Sequence, residues 1–197
     1  MKTKVLIFAQ AIAVLFIMQS CCTPSTTIGS VNNNLRPQET NNWCWAAVTQ
    51  MIAENEGQIV KQCDLANHRF GKTNCCDVEN DGQSCPKTSD CNTPGWLELD
   101  FAGVKFSSTN TARSLAQVRS SIYCAKDVLG FAYGTPGVVG HVVVIKGYVT
   151  VGGTNYLVLN DPWLPCTGSE RLITYDEYVD PAGSSTHWTT WYATSKK

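Results

Sequence analysis

His141-Val142-Val143-Val144-Ile145-Lys146-Gly147-Tyr148-Val149, followed by Gly152-Gly153 and then Asn155-Tyr156-Leu157-Val158-Leu159, decides the architecture of this chain. A β-branched run this continuous resists helix and fits a strand buried in the middle of a sheet. The two glycines accept the positive φ of a tight turn, so the second run returns antiparallel to the first. Residues 128–133 read as a further strand, broken by Thr135-Pro136-Gly137, and residues 171–175 and 188–193 as two more. The first half has a different period. In Trp43-Cys44-Trp45-Ala46-Ala47-Val48-Thr49-Gln50-Met51-Ile52 the residues Trp45, Val48, Met51 and Ile52 recur at helical spacing. Asn41 and Asn42 offer N-caps, and Gly57 closes the segment. Further helices are expected over 59–70, over 94–99 from Pro94-Gly95, and over 114–123, where Leu115, Val118 and Ile122 share a face. Helices followed by an antiparallel sheet make an α+β fold, with the Cys44 helix packed on the C-terminal sheet.

The same two segments carry the chemistry. Cys44 falls in the first turn of its helix, where unpaired backbone N–H groups and the positive end of the dipole favour a thiolate. Trp43 and Trp45 flank it and would shape a substrate cleft. His141 stands where the glycine-rich stretch 134–140 enters the central strand, a position both accessible and well supported. The hairpin brings the outer end of its second strand, Asn160-Asp161-Pro162-Trp163, beside His141. A carboxylate there would fix the imidazole tautomer and stabilise the imidazolium. Each residue also has an ordinary structural reading. Cys44 could be a half-cystine, Asp-Pro is a common turn signal, and His187 competes with His141 but has no carboxylate at hairpin distance. His68 reads as a solvent-facing helix residue.

A chain of 197 residues, 43% hydrophobic and 10% aromatic, suits one domain with a real core. We assign it to residues 35–197. A net charge of −1 without a basic patch argues against a nucleic-acid partner. Residues 1–20 read as a signal peptide, with Lys2 and Lys4 before an apolar run over 5–18 that is too short for comfortable membrane spanning. Cys21 follows directly, as the lipid-accepting cysteine of a bacterial lipoprotein would; plain secretion is the alternative. Residues 21–34 are expected to be a flexible tether. Localisation is then the outer membrane or cell surface by lipid anchor, or else the periplasm or medium, with no other membrane association. Ten cysteines fit such an oxidising compartment. With Cys21 and Cys44 set aside, Cys22, Cys63, Cys75, Cys76, Cys85, Cys91, Cys124 and Cys166 remain to pair, in a connectivity the spacing does not reveal. No Cys-x-x-Cys pair supports zinc, so we expect no metal and no cofactor.

These residues resemble the papain-like cysteine protease superfamily. Gln38, five intervening residues and Cys44-Trp45-Ala46 resemble its oxyanion glutamine and nucleophile elements. His141 before an apolar run, then a polar residue with Trp163 two positions later, resembles its His and Asn/Asp elements. Trp-Cys-Trp-Ala-Ala, His-Val-Val-Val-Ile-x-Gly-Tyr and Asn-Asp-Pro-Trp are most similar to a small bacterial branch. That branch includes plant-pathogen effector proteases and is related to the double-glycine leader peptidases. The resemblance implies a papain-like fold and a peptidase acting on a peptide or protein as a monomer. It also implies Cys44 as nucleophile, His141 as base, Asp161 as its orienting group (Asn160 the second candidate), Gln38 in the oxyanion hole and Trp163 at the cleft. The separation of 97 positions from Cys44 to His141 (141 − 44) is shorter than the roughly 130 of papain-type enzymes proper. A cell-wall peptidoglycan amidase or other cysteine acyltransferase, and a non-catalytic surface module on the same scaffold, are the competing functions.

Overall fold

A computed structural model describes residues 22–76 and 90–197. The expected signal peptide (1–20), the candidate lipid acceptor Cys21, and Cys85 lie outside the described residues.

The hairpin read from sequence is the centre of the sheet. Strand β4 (His141–Val151) pairs antiparallel with β5 (Thr154–Asp161), in a register that sets Val144 against Asn160 and Val151 against Thr154. Strand β3 (Leu129–Gly134) covers the other edge of β4 over its first five residues. The sheet then extends to β7 (Thr186–Lys196) and β2 (Val104–Thr109) on one side and to β6 (Ser169–Thr174) on the other, in the order β2-β7-β3-β4-β5-β6. Alternate residues of β4 serve two cores, as a two-residue period requires. Val142 and Val144 face the helix side, with Trp45, Val48, Met51 and Ile52; Val143 and Ile145 face the other side, with Phe131, Leu157, Leu159 and Tyr178. Helix α1 (Cys44–Asn55) packs on β4 and β3, and α2 (Gln62–Phe70) packs on α1.

Four expectations need correction. Residues 22–34 are not a free tether. Strand β1 (Ile28–Ser30) pairs with Gly147, Tyr148 and Val149 of β4, Cys22 is disulfide-bonded to Cys124, and Asn33 is buried. The open edge of β4 beyond the end of β3 supplies the backbone partners, so a polar composition did not prevent ordering. Residues 94–99 form no helix. The carbonyls of the adjoining Cys91 and Thr93 are taken by the indole N–H groups of Trp43 and Trp45, at 2.8 and 3.2 Å, and this stretch is irregular, ending in a turn at Leu99. The helix expected over 114–123 splits into α3 (Leu115–Arg119), closed by a capping box between Ser114 and Gln117, and a π-helical turn, Ser120–Ala125. The strand expected to end at Tyr175 instead ends at Thr174, whose side chain and Glu177 cap α4 (Tyr175–Val179).

The disulfides Cys63–Cys76 and Cys75–Cys91 tie α2 to the segment beside α1, and Cys166 is also disulfide-bonded. Cys63 and Cys76 also lie near Asp64, but their thiolates are consumed in the bond. Among the described residues no helix is long and apolar enough to cross a membrane.

Candidate active site

Cys44 is the only free cysteine among the described residues, and it is the first residue of α1. The residue before it, Trp43, caps the helix without a side-chain hydrogen bond. Neither expected cap, Asn41 nor Asn42, serves; Asn42 turns away, its backbone N–H donating to Asn92 Oδ1 at 2.9 Å and its Nδ2 to Asn92 O at 3.1 Å. The backbone N–H groups of the first turn, which have no intrahelical acceptor, are thus left beside Cys44. Cys44 opens into a cleft of about 640 Å³ that also reaches Gln38, Trp45, His141, Asp161 and Trp163.

The backbone of His141 is fixed from below. Gly140, immediately before it, lies so close to the Trp188 ring that a Cβ there would collide with it, which explains the glycine-rich approach. The imidazole Nε2 lies 2.6 Å from Asp161 Oδ1, and Cys44, lining the same cleft, also acts on the charge of the ring. Burial pushes the imidazolium down, yet Asp161 and Cys44 more than offset it and lift His141 to about 9. Burial likewise acts to raise the Asp161 carboxyl. The His141 contact, the Trp163 N–H at 3.0 Å and Arg171 together hold it below the usual carboxylate range.

Strand parity separates Asp161 from Asn160. Neighbouring residues on a strand point to opposite faces. Asn160 therefore faces the helix side, where its Nδ2 donates to the carbonyl and Oδ1 of Asn33 at 2.9 and 3.1 Å, and Asn33 in turn donates to Met51 O at 2.8 Å. Asn160 thus clamps the N-terminal segment to α1 and is not beside His141, contrary to its standing as second candidate. Gln38 is fully buried on the cleft side of Cys44, and its Nε2 lies 2.8 Å from Thr40 O and 2.9 Å from Asn41 O. Two facing carbonyls identify that end of the amide as the nitrogen. Trp45 lines the cleft and Trp163 is half exposed at its rim. Trp43 does not line it: the ring is buried in the core and donates to Cys91 O. The rival His187 is built into the far core, with Nδ1 at 2.9 Å from Tyr178 O and Nε2 at 3.0 Å from Thr190 Oγ1. Burial lowers its pKa despite the Tyr178 carbonyl. His68 is half exposed and pairs with Glu98.

Two residues at the site had no part in the sequence reading. Arg171 Nε donates to Asp161 Oδ2 at 2.7 Å, and its Nη2 donates to the Tyr133 hydroxyl at 2.7 Å. Nothing in the sequence marked them: β6 reads Ser169-Glu170-Arg171-Leu172-Ile173-Thr174, a half-polar strand in which an arginine is ordinary.

No curated protein matches the chain. Its structure resembles a mite-allergen chain ("Structural basis for the limited antibody cross reactivity between the mite allergens Blo t 1 and Der p 1") over 90% of this chain and 73% of that one, with TM-score 0.53 and 10% identity. At that identity the likeness concerns the fold, which is papain-like α+β. Residues 27–182 match the family model described as papain-like cysteine protease AvrRpt2, and the chain belongs to that family.

Proposed function

We propose that the protein is an exported cysteine peptidase in which Cys44 is the nucleophile, His141 its acid and base, Asp161 the group that orients His141, and Gln38 an oxyanion donor. The observation that carries this reading is His141 held in one cleft between the free thiol of Cys44 and the buried carboxylate of Asp161. The Cys44 thiolate, paired with the His141 imidazolium, attacks the carbonyl carbon of a peptide bond. The N–H of Cys44 and the Gln38 amide stabilise the oxyanion, on the order of 3 kcal/mol per donor. Gln38 Nε2 serves the Thr40 and Asn41 carbonyls at 2.8 and 2.9 Å, so binding the oxyanion exchanges one of these bonds for the new one. His141 Nδ1–H protonates the departing amine as the C–N bond breaks, leaving a thioester. His141, now neutral, takes a proton from water, which displaces Cys44 and releases the carboxylic acid. Through the cycle Nε2–H stays on Asp161, so the ring does not turn over.

Disulfides that tie the N-terminal segment and the cleft wall fit an oxidising compartment. We extend the proposed catalytic domain to begin near residue 22, ahead of residue 35, since β1 is part of its sheet.

The test is incubation of the full chain with a mixed peptide library and with purified cell walls, followed by product mass analysis. We expect peptide products carrying one added water per cut, absent with Cys44→Ala. Release of muropeptides without any peptide cleavage would assign the site to a wall amidase and contradict the proposal.

A further inference from the structure

Asp161 is held from two sides, and only one of them is His141. Oδ1 receives His141 Nε2 and the Trp163 N–H, while Oδ2 receives Arg171 Nε at 2.7 Å. The guanidinium does not end there, since Nη2 donates to Tyr133 at 2.7 Å. Tyr133 directly opposes His141 in the β3–β4 register, and its ring meets the imidazole edge-on at 5.9 Å and 84°. Tyr133, His141, Asp161 and Arg171 sit on four successive strands, β3, β4, β5 and β6. Their side chains form one closed circuit: Tyr133 against His141, His141 to Asp161, Asp161 to Arg171, Arg171 back to Tyr133.

From this circuit we propose that Arg171, braced by Tyr133, is a positioning residue of the Cys44–His141 site, fixing Asp161 so that Oδ1 stays aligned on His141. The proposal rests on the peptidase reading above. A carboxylate can rotate about its last bond. With one oxygen bonded and the other buried and empty, it would turn toward the cleft and its water. Arg171 removes that freedom, because Nε fixes Oδ2 while Nη2 is itself held by Tyr133. A planar fork can grip two partners at once; an ammonium cannot do so with the same geometry. An ordinary surface ion pair is worth little, but this guanidinium reaches inward from an edge strand to a carboxylate whose side chain is only 9% exposed. All of the anchors lie on strands, so sheet register sets their distances.

The test needs no substrate. The rate of Cys44 alkylation by iodoacetamide at pH 6 is followed by intact mass on the disulfide-bonded full chain. Wild type is compared with His141→Ala, Asp161→Asn, Arg171→Met, Arg171→Lys and the double variant Arg171→Met/Asp161→Asn, with thermal unfolding checked for each. Arg171→Met is expected to slow alkylation about tenfold, Arg171→Lys to regain part of that loss, and Arg171→Met to cost less than about twofold once Asp161 is Asn. If Arg171→Met does not fold, Tyr133→Phe carries the same test, with a loss of about threefold that vanishes in the Asp161→Asn background. A wild-type rate in Arg171→Met, or an equal loss with and without Asp161, overturns the proposal and leaves a merely structural ion pair. Alkylation of the wild type that is no faster than that of His141→Ala instead removes the peptidase reading on which the proposal stands.

Discussion

Cys44→Ala and His141→Ala each lower kcat/KM for peptide hydrolysis by about 10⁵-fold or more, and the double variant is scarcely worse than either. The non-additivity is the diagnostic part. Without the thiol, the imidazole has nothing to activate; without the imidazole, the leaving amine has no proton donor within reach. Two residues that act as one unit cannot be lost twice. His141 shares the cleft with Cys44 and is hydrogen-bonded to Asp161, so its removal also leaves a buried carboxylate with one partner fewer. Steady-state kinetics on the four chains, with folding verified by thermal unfolding, measures the cycle. Losses that multiply would mean that Cys44 and His141 act separately.

Asp161→Asn lowers kcat by about 10³- to 10⁴-fold with little change in KM, and it moves the alkaline limb of the pH profile downward. The direction follows from what holds His141. Its imidazolium survives to about 9 because the Asp161 and Cys44 contacts outweigh burial. The acid needed to expel the amine is therefore available below that pH and lost as pH rises through it. Replacing the carboxylate removes one of the two supports while burial remains, so the limb shifts toward the ordinary imidazole value of about 6.5. Stability obeys the same linkage. The raised His141 contributes stability that is complete below 6.5 and lost as pH rises through about 9. The lowered Asp161 contributes stability present above 3.8 and lost as pH falls below it. The pair therefore steadies the fold most between these limits. A pH–rate profile of Asp161→Asn with an unmoved alkaline limb would show that Asp161 does not support the imidazolium.

The parts of this site that could be read from sequence are those written in local patterns. Helical spacing placed Cys44 at a helix start, and a β-branched run with a glycine turn placed His141 beside the end of its partner strand. Choosing Asp161 over Asn160 from sequence required the resemblance, because a hairpin alone brings both residues near His141. In the structure the two-residue period of β5 decides it, sending Asn160 to Asn33 and Asp161 to His141. Arg171 and Tyr133 stayed invisible because their meeting depends on the register of four strands, at a sequence separation of 38. The expected helix at 94–99 failed because two indole N–H groups, both from the Cys44 segment, hold the adjoining carbonyls of Cys91 and Thr93. The N-terminal segment looked like a tether by composition, but a disulfide and three backbone partners on β4 order it. Neither is a property of the segment itself.

Rapid acid quenching of the wild-type chain during turnover of a cleaved library peptide, followed by intact-mass and peptide mapping, tests the central claim most directly. The account predicts a hydroxylamine-labile acyl group on Cys44 that is absent from His141→Ala. Product formation with no such adduct, or with the adduct on another residue, would contradict it.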